Sequence, residues 1–309
     1  MGRYVLRRLL QIIPVFIGTT FLIYVLVWAI PGDPFAGLCG ERPCPPSFVA
    51  NMTEKYHLND NIFVQYFKYM SALVQGDLGQ TYGGQSVGEL IRLRFPVSVR
   101  LAVIAVAIEA LIGITAGILT GLRGRGYLDN LVLASTLFLI SIPTFVTGFL
   151  LQQLLIVGDW PSFPPTVGDE DSFVRLLIPG FVLGSIAMAF VARLTRTSIM
   201  ENNRADYVRT ALAKGLPKSR IVGVHLLRNS AIPVLTYVGT NLGTLMGGAI
   251  ITEGIFDIHG IGNLVYQSIL QKEGFIVTGV VVLLVIVFLL VNLIIDMLYA
   301  VLDPRIRYD

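Results

Sequence analysis

Apolar residues in this chain gather into six long, nearly charge-free runs, with neither the three-to-four spacing of a surface helix nor the alternation of a half-buried strand. The runs occupy residues 9–30, 101–122, 131–157, 176–192, 231–252 and 275–295, the last extending to 302. A helix rises 1.5 Å per residue, so about 20 residues cross a hydrocarbon core roughly 30 Å thick. Each run therefore predicts a membrane-spanning helix. The fourth is short at 17 residues, but its flanks from Phe173 to Ser198 can lengthen it. Pro143 and Pro179 are expected to kink or break the third and fourth spans. Between the first two runs, Phe63, Tyr66, Phe67, Met70 and Leu73 recur at helical spacing and predict a small helical subdomain. The expected fold is an all-α membrane protein of six transmembrane helices. Its parts would be a first helix within 1–30, an external subdomain at 31–100, a five-helix core at 101–302 with a cytoplasmic loop at 193–230, and a tail at 303–309.

Composition strengthens this reading. Of 309 residues, 54% are hydrophobic and 14% charged, against about 25% charged in soluble domains, and the mean hydropathy is +0.72. The first run has 22 residues, too long for the roughly 7–15-residue core of a secretory signal. Arg3, Arg7 and Arg8 ahead of it predict a cytoplasmic N-terminus, and six crossings return the C-terminus to the same side. With that orientation the internal segments carry about +10 and the external ones about −5. Deleting the fourth span would break the segregation. The net charge of +3 is too small and too divided to be a nucleic-acid footprint. Three histidines leave little for a metal site. Cys39 and Cys44, on the expected outside, either close a short disulfide loop or stand unpaired.

The motifs exclude more than they assign. Gly84-Gln85-Ser86-Val87-Gly88 spells a serine-hydrolase elbow, but Gly79-Gln80-Thr81-Tyr82-Gly83 before it is no apolar strand. A phosphate-binding loop needs a Gly-Lys pair, and none of the five lysines follows a glycine. Energy from ATP would have to come from another chain. Gly113, Gly117 and Gly121, and again Gly239, Gly243 and Gly247, line one helix face each, as packing seams or as seams that slide. Glu109 lies deep in the second span, where a lipid-facing carboxylate is costly. Either it lines a translocation path, with Asn241 and Thr244 as further candidates, or it is a hydrogen-bonded group within packing. Gln152 is a weaker candidate of the same kind.

The stretch 193–230 carries eight basic residues, and a mere connector could be shorter. Asp206 reads as an N-cap, Tyr207, Ala211 and Leu212 share helical spacing, and Gly215 with Pro217 forms a stop. The short helix so predicted either lies on anionic lipid or fits a groove on a soluble partner.

At this segment the chain resembles the membrane subunit of a bacterial ATP-binding-cassette importer, the first permease of the dipeptide and oligopeptide type. The resemblance rests on Asp206-Tyr207-Val208-Arg209-Thr210-Ala211-Leu212-Ala213-Lys214-Gly215-Leu216 with His225 and Pro233 beyond it. Pro31-Gly32-Asp33-Pro34, Gly76-Asp77-Leu78-Gly79, Gly260-Ile261-Gly262 and Asp303-Pro304-Arg305-Ile306-Arg307-Tyr308 extend it over the whole chain. It implies a multi-pass protein of the bacterial inner membrane, paired with a second permease, two ATPase subunits or domains and an extracytoplasmic peptide-binding protein. ATP and magnesium would be bound by the ATPases, leaving this chain without cofactor or catalytic residue. Asp206, Tyr207, Arg209, Ala211, Lys214, Gly215 and Leu216 would couple it to them, and Phe256, His259, Gly260 and Gly262 would meet the binding protein. The same machinery importing nickel, glutathione or a sugar is the nearest alternative. A secondary transporter is the rival from another class, but it calls for inverted repeats and several ionisable groups at the midplane, of which only Glu109 is found.

Overall fold

A computed structural model describes residues 2–28, 44–55, 57–124 and 126–302. Cys39, one half of the possible Cys39–Cys44 bridge, and the 303–309 tail lie outside them. The described residues form helices α1 (Gly2–Trp28), α2 (Pro46–Lys55), α3 (Ile62–Val74), α4 (Val87–Arg123), α5 (Tyr127–Ser141), α6 (Thr144–Gly158), α7 (Leu177–Asn202), α8 (Asp206–Ala213), α9 (Lys218–Arg220), α10 (Leu227–Ile255), α11 (Ile261–Leu270) and α12 (Gly274–Leu302). A π-helical turn, Ile221–Leu226, joins α9 to α10. Among these residues the only β pairing is two isolated bridges, Gln80 with Ser86 and Gly168 with Ile258. The fold is all-α.

Among the described residues, five helical segments are long and apolar enough to cross a membrane, and a sixth crossing would be the pair α5 and α6, bent by 100°. Pro143 sets that break. Its ring disfavours helical geometry for the residue before it, and Ile142 is extended at φ −97° and ψ 123°. Pro179 does not break its span as expected. It falls in the first turn of α7, where a missing N–H removes a donor that has no helical acceptor anyway. The expected cytoplasmic loop at 193–230 also shrinks from both ends: α7 runs to Asn202, and helical structure resumes at Lys218.

The residues fall into two compact units. The first comprises the described residues within 2–98 and 259–300. Here α1 packs its Thr20, Tyr24 and Trp28 edge against α3 and the start of α12. Tyr24 lies 5.7 Å from Tyr66 and 5.5 Å from Tyr69, and Trp28 lies 4.7 Å from Phe275 while donating to Thr278 at 3.2 Å. Leu6, Leu10 and Ile13, nearer the start of α1, and Leu22 are exposed, as suits contact with lipid.

The second unit comprises the described residues within 99–258 with residues 301–302, and its core is the buried length of α7. A Cβ on Gly113 would stand 2.8 Å from the Met188 carbonyl, and one on Gly117 2.7 Å from that of Ala192. From the other side, a Cβ on Gly184 would stand 2.8 Å from the Ala105 carbonyl. The glycine row of α4 is therefore a seam on which two helices meet backbone to backbone, where dispersion over many close contacts replaces the absent hydrophobic drive.

Candidate functional site

The helix predicted from Asp206 forms as α8, but its N-cap is Ala205 and Asp206 opens the first turn. Asp206 is exposed, and its carboxylate suits the positive end of the helix dipole. Val208 and Ala211 are buried and pack with Ile221 of the π turn and with Leu216. The other face presents Tyr207, Arg209, Leu212 and Lys214 to solvent. Gly215 ends the helix at φ +73°. Its N–H bonds to the Leu212 carbonyl at 2.9 Å and that of Leu216 to the Ala211 carbonyl at 3.2 Å, the paired bonds of a Schellman stop with its hydrophobic contact between Leu216 and Ala211. One apolar side thus holds α8 to the chain and one mixed side stays outward.

The flanking helices of α8 are tied to one another close by. Ser198 of α7 and Ser230 of α10 each donate a hydroxyl to the other's carbonyl, at 3.2 and 3.3 Å. Tyr207 donates to the Asn202 side chain at 2.6 Å, pinning the start of α8 to the end of α7. A further tie escaped the sequence reading. Arg196 of α7 grips buried Asp129 of α5 through two hydrogen bonds, one from each of two guanidinium nitrogens. Arg196 counts in the sequence simply as one internal positive charge. The usable signal was Asp129, an acid in the first turn of a helix on the basic side.

Of the candidate path residues, the structure joins two. Glu109 is fully buried, and its Oε2 accepts from the Asn241 amide at 2.7 Å, while Oε1 has no partner among the described residues. The Tyr237 phenol lies within electrostatic reach of the same carboxyl. Thr244 is exposed and does not join them. Gln152 bridges: its amide donates to the carbonyls of Ile255 at 2.6 Å and Pro165 at 3.1 Å.

The segment after α10 is held from within. Phe256 is fully buried, and its carbonyl accepts from Val167 at 2.8 Å. Gly260 and Gly262 are buried and His259 is half-buried, leaving Asp257 as the exposed residue of the turn. Sequence reasoning chose the turn and missed that its apolar members fill the interior. Buried Glu253 at its start was missed as well.

Residues 113–308 match the family described as binding-protein-dependent transport system inner membrane component, and residues 1–102 match its N-terminal region. The chain is 34% identical to the dipeptide transport system permease protein DppB of Alkalihalophilus pseudofirmus over the full length of both. It is 33% identical to the DppB protein of Escherichia coli K12, covering all of this chain and 99% of that one. With the oligopeptide transport system permease protein OppB of Haemophilus influenzae it shares 35% over the full length of both.

Proposed function

The chain belongs to the family of binding-protein-dependent transport system inner membrane components, and on that premise we propose that it is the permease subunit of an ATP-driven importer of dipeptides or oligopeptides. It is a multi-pass protein of a bacterial inner membrane and a transport component rather than an enzyme. The cargo reading is carried by one observation: full-length similarity to permeases named for dipeptides and for oligopeptides alike.

In this reading a binding protein delivers peptide outside and a second permease completes the pathway. Two ATPase subunits or domains, holding ATP and magnesium, drive the cycle from inside. Their closure pushes on the outward side of α8, at Tyr207, Arg209, Leu212 and Lys214. Because Val208 and Ala211 seat α8 on Ile221, and Tyr207 ties it to α7, the push reaches α7 and α10 together. A rigid lever with a firm stop at Gly215 transmits more of that stroke than a frayed one would. Asn241, joined to Glu109 of α4, lies in α10, one of the helices that would move.

The test is uptake in vesicles holding this chain with its co-purifying subunits, supplied with binding protein, radiolabelled dipeptide and ATP. Uptake that needs both ATP and the binding protein is expected. Accumulation by the chain alone would mark a secondary transporter instead. ATP-driven uptake of nickel, glutathione or a sugar, with peptides excluded, would keep the machinery and overturn the cargo.

A further inference from the structure

The first unit holds a cavity of about 230 Å³ that neither α8 nor the Glu109 pair uses. It lies beside α3 and the 77–80 turn, on the side that the charge distribution places outside. Tyr24, Tyr69 and Phe275 form an aromatic wall, and Asp77 supplies a carboxylate. Two basic residues, Lys68 and His57, also border the space, but both serve another acid. Lys68 Nζ donates to Asp60 Oδ2 at 2.7 Å. That hydrogen bond first, and then the Lys68 and His57 charges, hold the Asp60 carboxyl below the usual carboxylate range.

Asp77 has a different environment. Its Oδ1 accepts the Gly79 N–H at 2.8 Å, and among the described residues no lysine or arginine pairs with it. The Tyr69 hydroxyl is buried and has no hydrogen-bond partner among the described residues, and it lies within electrostatic reach of Asp77. A carboxylate lacking a cation, beside electron-rich ring faces and an unused phenol, is the chemistry that selects an organic ammonium ion. An ammonium group is attracted to ring faces and to the carboxylate together, while the phenol can pair with a neighbouring carbonyl.

We propose that this cavity binds the primary ammonium group of a small amino compound, with Asp77 as counter-ion and Tyr24, Tyr69 and Phe275 as its cage. Its volume suits one or two amino-acid residues. The N-terminus of a short peptide is the source we favour, a choice that rests on the peptide-import reading, and a simple alkylamine is the other source of the same chemistry.

The experiment uses the chain with its co-purifying subunits in nanodiscs, without binding protein or nucleotide. Binding is followed by calorimetry and by the fluorescence of Trp28, which packs on Phe275. Dialanine is expected to bind, N-acetyl-dialanine at least tenfold more weakly, and D77N is expected to weaken dialanine at least tenfold. Asparagine keeps the side-chain oxygen that holds Gly79 and removes only the charge, so D77N should fold. R92M, at an exposed residue of α4 outside the cavity lining, is expected to leave affinity within twofold. Ethylammonium competing with dialanine supports the shared chemistry, and equal affinity of the two would assign the site to amines rather than peptides. Undiminished binding to D77N, equal binding of the acetylated peptide, or no binding to the unaltered protein overturns the proposal. Loss of ATP-driven uptake with Asp77-dependent binding intact would refute the import reading alone. Normal uptake without such binding would refute this site alone.

Discussion

Replacing Gly117 with alanine tests whether the α4–α7 seam sets the tightness of the second unit. The new Cβ would lie 2.7 Å from the Ala192 carbonyl oxygen and closer still to the Thr195 side chain. Heavy atoms in comfortable contact stand about 3.5 Å apart, so α4 must retreat by several tenths of an ångström. Backbone supplies the obstacle, so no rotamer change can relieve it. A gap of about 0.5–1 Å forfeits a quarter to a half of each contact's attraction, and it spreads to the neighbouring approaches at Gly113 and Gly121. Overpacking of this kind costs about 1–3 kcal/mol. At about 2 kcal/mol the thermal midpoint should fall by roughly 4–8 °C. Gly18 on α1 is the control, because a Cβ there meets nothing within 4 Å. Gly18→Ala should leave the midpoint unchanged or raise it slightly, through lower chain entropy. The assay is thermal unfolding of the purified protein in one detergent. Equal midpoints for Gly117→Ala and the unaltered protein would refute the seam argument.

Three further outcomes are expected. At Gly215 the surroundings are open but φ is +73°, so Gly215→Val should lose the helix stop at about 1–2 kcal/mol. Nucleotide hydrolysis would then continue with little uptake while Gly215→Asn largely retains coupling; full uptake by the valine variant counts against the lever. Glu109→Ala leaves the half-buried Asn241 amide without its acceptor, which costs about 1 kcal/mol, whereas Glu109→Gln keeps an acceptor and should unfold near the unaltered protein. Alanine and glutamine variants of equal thermal stability would show that the pair holds nothing. Burial pushes the Glu273 carboxyl up, opposed by the Tyr82 N–H. Its folded state thus holds a proton more tightly than the unfolded chain, so the stability linked to that proton is full below the ordinary carboxylate pKa of about 4.3 and is lost as pH rises through the folded value. Glu273→Gln should therefore stabilise at pH 7 and change nothing at pH 4, as thermal unfolding at the two pH values would report; a pH-independent difference contradicts the assignment.

The parts legible in the sequence are those governed by local rules. Long apolar runs need no tertiary information, and Gly215 announces a left-handed stop wherever the helix before it packs. The start of α8 slipped by one residue because Asp206 suits the N-cap and the first turn alike. Pro143 announced a break, but a bend of 100° is set by how α5 and α6 separately find neighbours. Pro179 misled because the cost of a proline depends on the turn it occupies, and the start of α7 was known only to a few residues. Pairing across the chain was least accessible. Glu109 stood out as an expensive residue, yet its link to Asn241 spans 132 positions. The clasp between Arg196 and Asp129 required knowing that α7 continues well past its apolar core.

The π turn before α10 carries a consequence for the length of the chain. Successive residues of an ordinary helix point about 100° apart around its axis, and a π turn takes up a surplus residue as a local bulge. Removing one residue between Ile221 and Leu226 would resolve the bulge into regular winding and leave the helices on either side of it in phase. A deletion further along α10, between Ser230 and Asn241, has no bulge to absorb it and would swing Asn241 about 100° off the Glu109 side, although no side chain had been changed. Single-codon deletions should therefore be better tolerated within this short stretch than between Ser230 and Asn241, where residue number is under the same constraint as residue identity.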